Sequence, residues 1–136
     1  MTIKKQKLLQ NFQKNIYCRI AVSKIHGVGV IATRDITKGL DPFSAPIPRA
    51  RWIKCHKSEL APLPTPVLEM VGDFFTYEAD GSIWLPESGL NGIDVSFFMN
   101  TSKQPNVKTI DGGINFVTTR QIKVGEELTV DYETFR

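Results

Sequence analysis

Two polar segments near the C-terminus carry the side chains best suited to chemistry. The first runs from Phe98 to Asn106 (FMNTSKQPN), and the second from Gly125 to Tyr132 (GEELTVDY). By composition alone the first segment is typical of a turn, and the second of a strand whose tyrosine packs in a core. Glu127 and Asp131 have the chemistry of an acid/base pair, but we expect them to be structural, capping loops or binding backbone amides.

Metal chemistry is not indicated by the sequence. The chain has two cysteines, Cys18 and Cys55, and two histidines, His26 and His56. Cys55 and His56 are adjacent, but no second pair follows at a zinc-binding spacing. We therefore expect no metal site, and two free thiols in or near the core.

Short strands separated by turn residues are expected to position these segments. Residues 18–24 and 30–33 predict two strands around a glycine-rich turn at 26–29, and Gly39 marks a further turn. Six of the eight prolines lie between residues 41 and 66, which disfavours long helices and central strands there. Short helical turns are predicted at residues 57–60 and 67–74.

The second half of the chain again favours β structure. The prediction comprises a hairpin of residues 75–78 and 82–85 turned at Asp80-Gly81, a hairpin of residues 106–110 and 114–119 turned at 111–113, and a last strand at 128–130. Many short strands without αβ alternation indicate a mostly antiparallel β fold.

Four segments in this order resemble the SET-domain protein-lysine methyltransferases. They are the glycine loop and following residues 27–39, aromatic residues of the middle segment 74–86, the asparagine segment 98–106 and the segment 127–132. The resemblance extends from about Cys18 to Phe135. It is closest to short bacterial or viral SET proteins, which lack the pre-SET and post-SET zinc regions.

The resemblance implies a mostly β, SET-domain (β-clip-like) fold. Its short antiparallel strands would be accompanied by a few short helices, and a C-terminal pseudoknot would bring Asn100 near Tyr132. We expect a basic N-terminal arm at residues 1–14 and a single SET domain at residues 15–136.

The resemblance also implies a cofactor, S-adenosylmethionine, and roles for individual residues. Tyr132 would be the catalytic residue. Asn100 would hold the amino-acid end of the cofactor, while Thr101 stands where the family usually has histidine. The predicted cofactor-binding residues are His26, Gly27, Val28, Gly29, Asn100, Thr101 and Phe135. The predicted substrate channel is formed by Tyr77, Trp84, Val130 and Tyr132.

Two further implications concern single residues of the glycine loop and of the last strand. A side chain at Gly27 or Gly29 would keep the cofactor away from the backbone of the loop. Val130 falls where some members carry Phe or Tyr, which suggests room for more than one methyl group.

The implied function is methylation of a lysine side chain in a protein substrate, such as a histone, a histone-like or a ribosomal protein. One alternative is a weak or inactive SET-like module that binds cofactor or peptide, favoured by Thr101 and by the missing post-SET region. A second alternative is an unrelated small β protein that acts through its basic arm. A homodimer, in which a second copy closes the site, is also an open alternative.

Composition agrees with one globular domain of 136 residues, with 41% hydrophobic and 23% charged residues. No apolar run approaches the roughly 20 residues needed to cross a bilayer. The lysine-rich segment Met1 to Lys14 lacks the apolar stretch of a signal peptide, so we expect a cytoplasmic protein without a membrane partner.

The net charge of +3 is mild. Direct nucleic-acid binding is not expected, and a solvated, frayed arm is favoured over one that binds nucleic acid or an acidic partner.

Overall fold

A computed structural model of the protein describes residues 2–47 and 51–135. The helices are α1 (Ile3–Lys14), α2 (Lys57–Leu60) and α3 (Thr65–Phe74). The strands are β1 (Cys18–Val22), β2 (Val28–Ala32), β3 (Trp52–His56), β4 (Ser82–Pro86), β5 (Asn100–Thr101), β6 (Val107–Thr109), β7 (Phe116–Thr118) and β8 (Glu127–Val130). Short 3₁₀ helices occupy Leu90–Gly92, Val95–Phe98 and Tyr132–Phe135.

The main sheet has the strand order β1-β2-β8-β5. β1, β2 and β8 pair in antiparallel fashion, whereas the two-residue β5 runs parallel to β8. Alternate residues of the central strands, Val30 and Ala32 in β2 and Leu128 and Val130 in β8, are buried in the principal core. The mostly β fold of short strands is confirmed, and the C-terminal strand lies at the centre of the sheet.

Two small two-stranded sheets flank the main sheet. β6 and β7 form the predicted hairpin, in which Val107 lies opposite Thr118. The other predicted hairpin is wrong: β4 pairs with β3, not with residues 75–78. Phe75 instead ends α3, and its ring contacts Trp52 and Phe97. The half-buried Phe75 thus packs on aromatic rings instead of pairing with β4, although a tight turn does form at Asp80-Gly81, where the Glu78 amide donates to the Ser82 carbonyl at 2.7 Å.

The helical turns predicted at residues 57–60 and 67–74 are confirmed as α2 and α3. Residues Ile3–Lys14 of the basic arm are helical rather than frayed. Thr2 begins α1 by accepting a hydrogen bond from the Lys5 amide at 3.2 Å. The buried Asn11 side chain donates to the Ser44 carbonyl at 3.0 Å, which attaches the helix to the domain. No helix among the described residues is long and apolar enough to cross a membrane.

The two thiols differ in environment, which predicts different reactivity. Burial, with the charge of Asp41 as a smaller cause, raises the pKa of the Cys18 thiol to about 12. Cys55 is only half-buried. Because the thiolate is the reactive form, we expect iodoacetamide to modify Cys55 in the folded protein and Cys18 only after denaturation. Peptide mass mapping would show this, and modification of native Cys18 would contradict the buried assignment.

Candidate active site

The parallel pairing of β5 with β8 creates the site. Asn100 lies opposite Thr129, and Thr101 lies opposite Val130. Tyr132 follows β8 after a single residue and begins a 3₁₀ helix. Residues distant in sequence, the asparagine segment and the C-terminal segment, are thus brought together, as the resemblance implied.

Tyr132 is held at both ends by the residues that flank Asn100. Its hydroxyl donates to the Met99 carbonyl at 2.5 Å, and its backbone amide donates to Thr101 Oγ1 at 3.1 Å. The Thr101 hydroxyl therefore fixes the backbone of the tyrosine. Tyr132 remains 45% exposed as a residue, so it is accessible to another molecule.

Tyr132 is protonated at neutral pH. Burial raises the pKa of its phenol above the ordinary value of about 10, and the negative charge of Glu127 raises it further. The phenolic proton is directed at the Met99 carbonyl. The lone pairs of the phenolic oxygen therefore stay available to accept a hydrogen bond, and the group is not a general base near pH 7.

Asn100 joins the glycine loop at residues 26–29 to the last strand. Its Nδ2 lies 3.1 Å from the His26 carbonyl, 3.1 Å from the Val28 carbonyl and 2.8 Å from Glu127 Oε2. Because acceptors surround Nδ2, the amide oxygen must point away from them. No described residue donates a hydrogen bond to Asn100 Oδ1, so this atom can accept one from a ligand.

The two glycines of the loop are needed for different reasons. A Cβ atom on Gly29 would lie 2.5 Å from Glu127 Oε2 and 3.1 Å from Asn100 Nδ2, so a side chain there would displace the Glu127 carboxylate. Gly27 has φ +52°, and a Cβ atom on it would meet nothing within 4 Å among the described residues. Of these two glycines, only Gly27 thus leaves space for a ligand to approach the backbone closely. At Gly29 we expected the cofactor to require a glycine, but the neighbouring Glu127 carboxylate requires it instead.

The predicted channel residues lie in different surroundings. Trp84 is exposed on β4, with Lys54 Nζ 5.9 Å from its ring, and Tyr77 is exposed between α3 and β4. Neither ring contacts Tyr132 in the described structure. The Val130 side chain is 1% exposed in the principal core, so it offers no open surface to a substrate.

The sequence analysis named the aromatic segment 74–86, but it did not predict how the rings of Phe74 and Phe75 pack with other aromatic rings. They form an aromatic cluster, defined here as Trp52, Phe74, Phe75, Phe97 and Phe98, with neighbouring centroids 5.4–6.4 Å apart. Phe97 and Phe98 directly precede Met99, whose carbonyl holds the Tyr132 hydroxyl. The available signal was the Phe97-Phe98 pair at the start of the asparagine segment.

Phe135 closes the other side of Tyr132. Its ring centroid lies 6.1 Å from that of Tyr132 and 6.2 Å from that of Phe116. The contact with Phe116 links Phe135 to the principal core. Phe135 is therefore next to the predicted catalytic residue, and its role toward a cofactor stays a prediction.

Asp131 has the structural role that we expected. Its carboxylate accepts from the Glu133 amide at 3.0 Å and pairs with the exposed Lys103 at 3.5 Å. Asparagine would keep the bond from Glu133, and an exposed ion pair contributes little. We expect Asp131→Asn to keep activity within about twofold of the wild type in a methyl-transfer assay. A folded but inactive variant would show that the carboxylate takes part in catalysis.

Metal binding and enclosed cavities do not define this site. In the part of the chain that the structure describes, no group of three or more His, Cys, Asp or Glu side chains is arranged to hold a metal ion. A cavity of about 160 Å³ lies elsewhere, between residues 15–18 and 42–45. The candidate site is instead recognised by the hydrogen bonds of Asn100 and Tyr132.

Comparison with known proteins identifies the class to which this fold and site belong. A family model described as the SET domain matches residues 27–133, and the chain therefore belongs to the SET-domain family. Among solved structures, the crystal structure of a Plasmodium falciparum "putative histone methyltransferase" is similar in fold. The TM-score is 0.52 and the identity 18%, over 85% of this chain and 92% of that one. A search of curated proteins found no match.

Proposed function

We propose that this protein transfers a methyl group from S-adenosylmethionine to a lysine side chain of a protein. The observation that carries the proposal is the position of Tyr132. Its protonated hydroxyl is fixed on the Met99 carbonyl, one residue from Asn100, while its ring stays partly exposed. Membership of the SET-domain family and the fold likeness to the Plasmodium protein support the proposal.

The residues present fit the amino-acid end of such a cofactor. Asn100 Oδ1 takes no bond from any described residue and suits an ammonium group, which can only donate. The backbone at Gly27 is open to close approach. When bound, the cofactor supplies an electrophilic methyl group on a positively charged sulfur. Thr101 does not prevent this arrangement, because its hydroxyl holds the Tyr132 amide.

The protein must present the lysine amine in its neutral form. A free lysine has a pKa of about 10.4, so almost none of it is nucleophilic at pH 7. An apolar wall disfavours the ammonium form. Phe97 and Phe98, which directly precede Met99 in the chain and pack against Phe74, are our candidates for such a wall.

Tyr132 would then orient the amine. Because its proton is donated to Met99, its oxygen accepts from an amine N–H and so directs the amine lone pair toward the methyl group. Alignment of this kind accounts for a large share of many enzymatic accelerations. With the phenol protonated, no base among these residues is needed, and the lysine proton leaves to water.

The proposal is tested by cofactor binding followed by labelling. Titration calorimetry with S-adenosylmethionine should show saturable binding, and a cell lysate incubated with protein and methyl-labelled cofactor should yield labelled protein bands. Binding without labelling would indicate a cofactor-binding module instead of an enzyme. Absence of binding would refute the proposal. The labelled bands would also identify the substrate, which we propose to be a histone, histone-like or ribosomal protein in the cytoplasm.

A further inference from the structure

Ser23 lies outside the asparagine segment and the C-terminal segment, and it is the centre of a hydrogen-bond network. It follows β1, and its hydroxyl accepts from the Ile25 amide at 2.8 Å and the His26 amide at 3.2 Å. Its own amide donates to the Gly27 carbonyl at 2.9 Å. One side chain thereby fixes the turn that leads into the glycine loop at residues 26–29.

The same hydroxyl reaches the last strand of the sheet. Ser23 Oγ donates to Glu127 Oε1 at 2.7 Å, and Asn100 Nδ2 lies 3.0 Å from Ser23 Oγ. Glu127 Oε2 in turn accepts from Asn100 Nδ2 at 2.8 Å. Ser23, Asn100 and Glu127 therefore form a triangle, in which each side chain lies within hydrogen-bond distance of the other two and the Glu127 carboxylate accepts from both partners.

Glu127 has no cationic partner in this triangle. It is half-buried, and none of the ion pairs found in the described residues includes it. Its charge is compensated by two neutral donors, the Ser23 hydroxyl and the Asn100 amide. Hydrogen bonds in such a chain polarise one another, so the carboxylate makes Asn100 Oδ1 a stronger acceptor.

The contacts of Glu127 give its carboxylate a structural role. Both carboxylate oxygens already accept hydrogen bonds, one from Ser23 and one from Asn100. The carboxylate therefore holds both Ser23 and Asn100, which is the structural role expected from the sequence.

We propose that Ser23 and Glu127 are positioning residues that orient Asn100 Oδ1 and the glycine loop to receive the ammonium group of the cofactor. This inference rests on the proposed function. Ser23 fixes the loop and one carboxylate oxygen of Glu127, and Glu127 fixes and polarises the Asn100 amide. Only the amino-acid end of the cofactor should depend on the triangle.

The test compares two ligands that differ in that end. S-adenosylhomocysteine keeps the amino-acid part, whereas 5′-methylthioadenosine lacks it. For Glu127→Gln and for Ser23→Ala we expect the dissociation constant of S-adenosylhomocysteine to rise about tenfold or more. The dissociation constant of 5′-methylthioadenosine should change less than about twofold, so the variants should bind S-adenosylhomocysteine with much less preference over 5′-methylthioadenosine. Both constants are measured by calorimetry, with direct or competitive titration.

Glu126→Gln is the matched control. Glu126 is the neighbouring carboxylate, and it binds Arg120 and the Lys123 amide instead of the triangle. This control removes the same charge and should leave both dissociation constants unchanged. Ser23→Thr, which keeps the hydroxyl, should retain the preference if Ser23→Ala does not fold.

Three other outcomes would contradict the inference, and the binding data distinguish them. Equal weakening of both ligands would indicate a general structural role, which thermal melting of the variants would also show. Unchanged binding of S-adenosylhomocysteine by Glu127→Gln would show that the triangle does not position Asn100. Binding of neither ligand by the wild type would refute the proposed function, and this inference with it.

Discussion

Replacing Tyr132 by phenylalanine is expected to lower the rate of methyl transfer about 100-fold or more while leaving cofactor affinity nearly unchanged. The phenolic oxygen is the only part of the side chain that the substitution removes. In our proposal that oxygen orients the amine and makes no contact that binds the cofactor. Single-turnover rates with labelled cofactor, together with calorimetric affinity, measure the two quantities separately.

A matched control for this variant is Tyr17→Phe. Tyr17 lies outside the site, where the Arg34 guanidinium sits 4.1 Å from the centre of its ring. This control should leave the transfer rate unchanged. Loss of the Tyr132–Met99 bond should also lower the free energy of unfolding by about 1 kcal/mol, too little to unfold the domain. Equal rates for wild type and Tyr132→Phe would refute the catalytic assignment.

The raised pKa of Tyr132 sets the expected pH dependence of the wild type. The phenol is neutral below its pKa, and burial followed by the charge of Glu127 moves that pKa upward. The hydroxyl therefore stays protonated from about pH 7 to pH 9. Activity should not fall with rising pH in this range. A decline that Tyr132→Phe abolishes would show that the phenol ionises earlier than the structure indicates.

Replacing Asn106 by alanine is expected to cause the largest loss of stability, about 2–4 kcal/mol. Asn106 is 2% exposed; its Nδ2 donates to the Glu127 carbonyl at 2.8 Å, and its Oδ1 accepts from the Thr129 amide at 2.8 Å. One side chain thus satisfies two backbone groups of β8. Alanine would leave both groups without partners, and buried unpaired groups carry the full cost of desolvation.

Urea unfolding of Asn106→Ala, with Asn91→Ala as control, measures this effect. Asn91 is exposed, and its side chain makes none of the hydrogen bonds found in the described structure. The control should change the free energy of unfolding by no more than about 0.5 kcal/mol. A loss for Asn106→Ala as small as that of Asn91→Ala would show that β8 does not depend on this residue. Cofactor affinity should fall together with stability, because β8 also carries Glu127.

Elements formed by neighbouring residues were predicted well from the sequence. The β6–β7 hairpin and the pair β1–β2 have turns and alternating residues that lie within one short segment. The partner of β4 was predicted wrongly. β3 lies about thirty residues before β4, and the local turn signal at Asp80-Gly81 contained no information about it.

In the candidate site, too, the residues within local motifs were predicted, whereas contacts between distant residues were not. Asn100 and Tyr132 were identified because each lies in a recognisable motif. Ser23 was not, since its bond to Glu127 joins residues 104 positions apart. The requirement for Gly29 was recognised, but its cause, the Glu127 carboxylate, becomes visible only when β2 and β8 are side by side.

Motifs in the sequence supported the resemblance to the SET-domain family, local patterns predicted most strands, and Asn100 and Tyr132 were chosen as the residues on which the proposed chemistry depends. The strands follow from residue type and spacing within short segments, whereas the family and the two residues follow from the resemblance. The tertiary structure decided which surfaces meet: the aromatic cluster beside Met99, the Asn106 contacts with β8, and the triangle of Ser23, Asn100 and Glu127. The physical reason is that a hydrogen bond or a ring contact depends on distance in space, and β8 gathers into one sheet segments that are far apart in the chain.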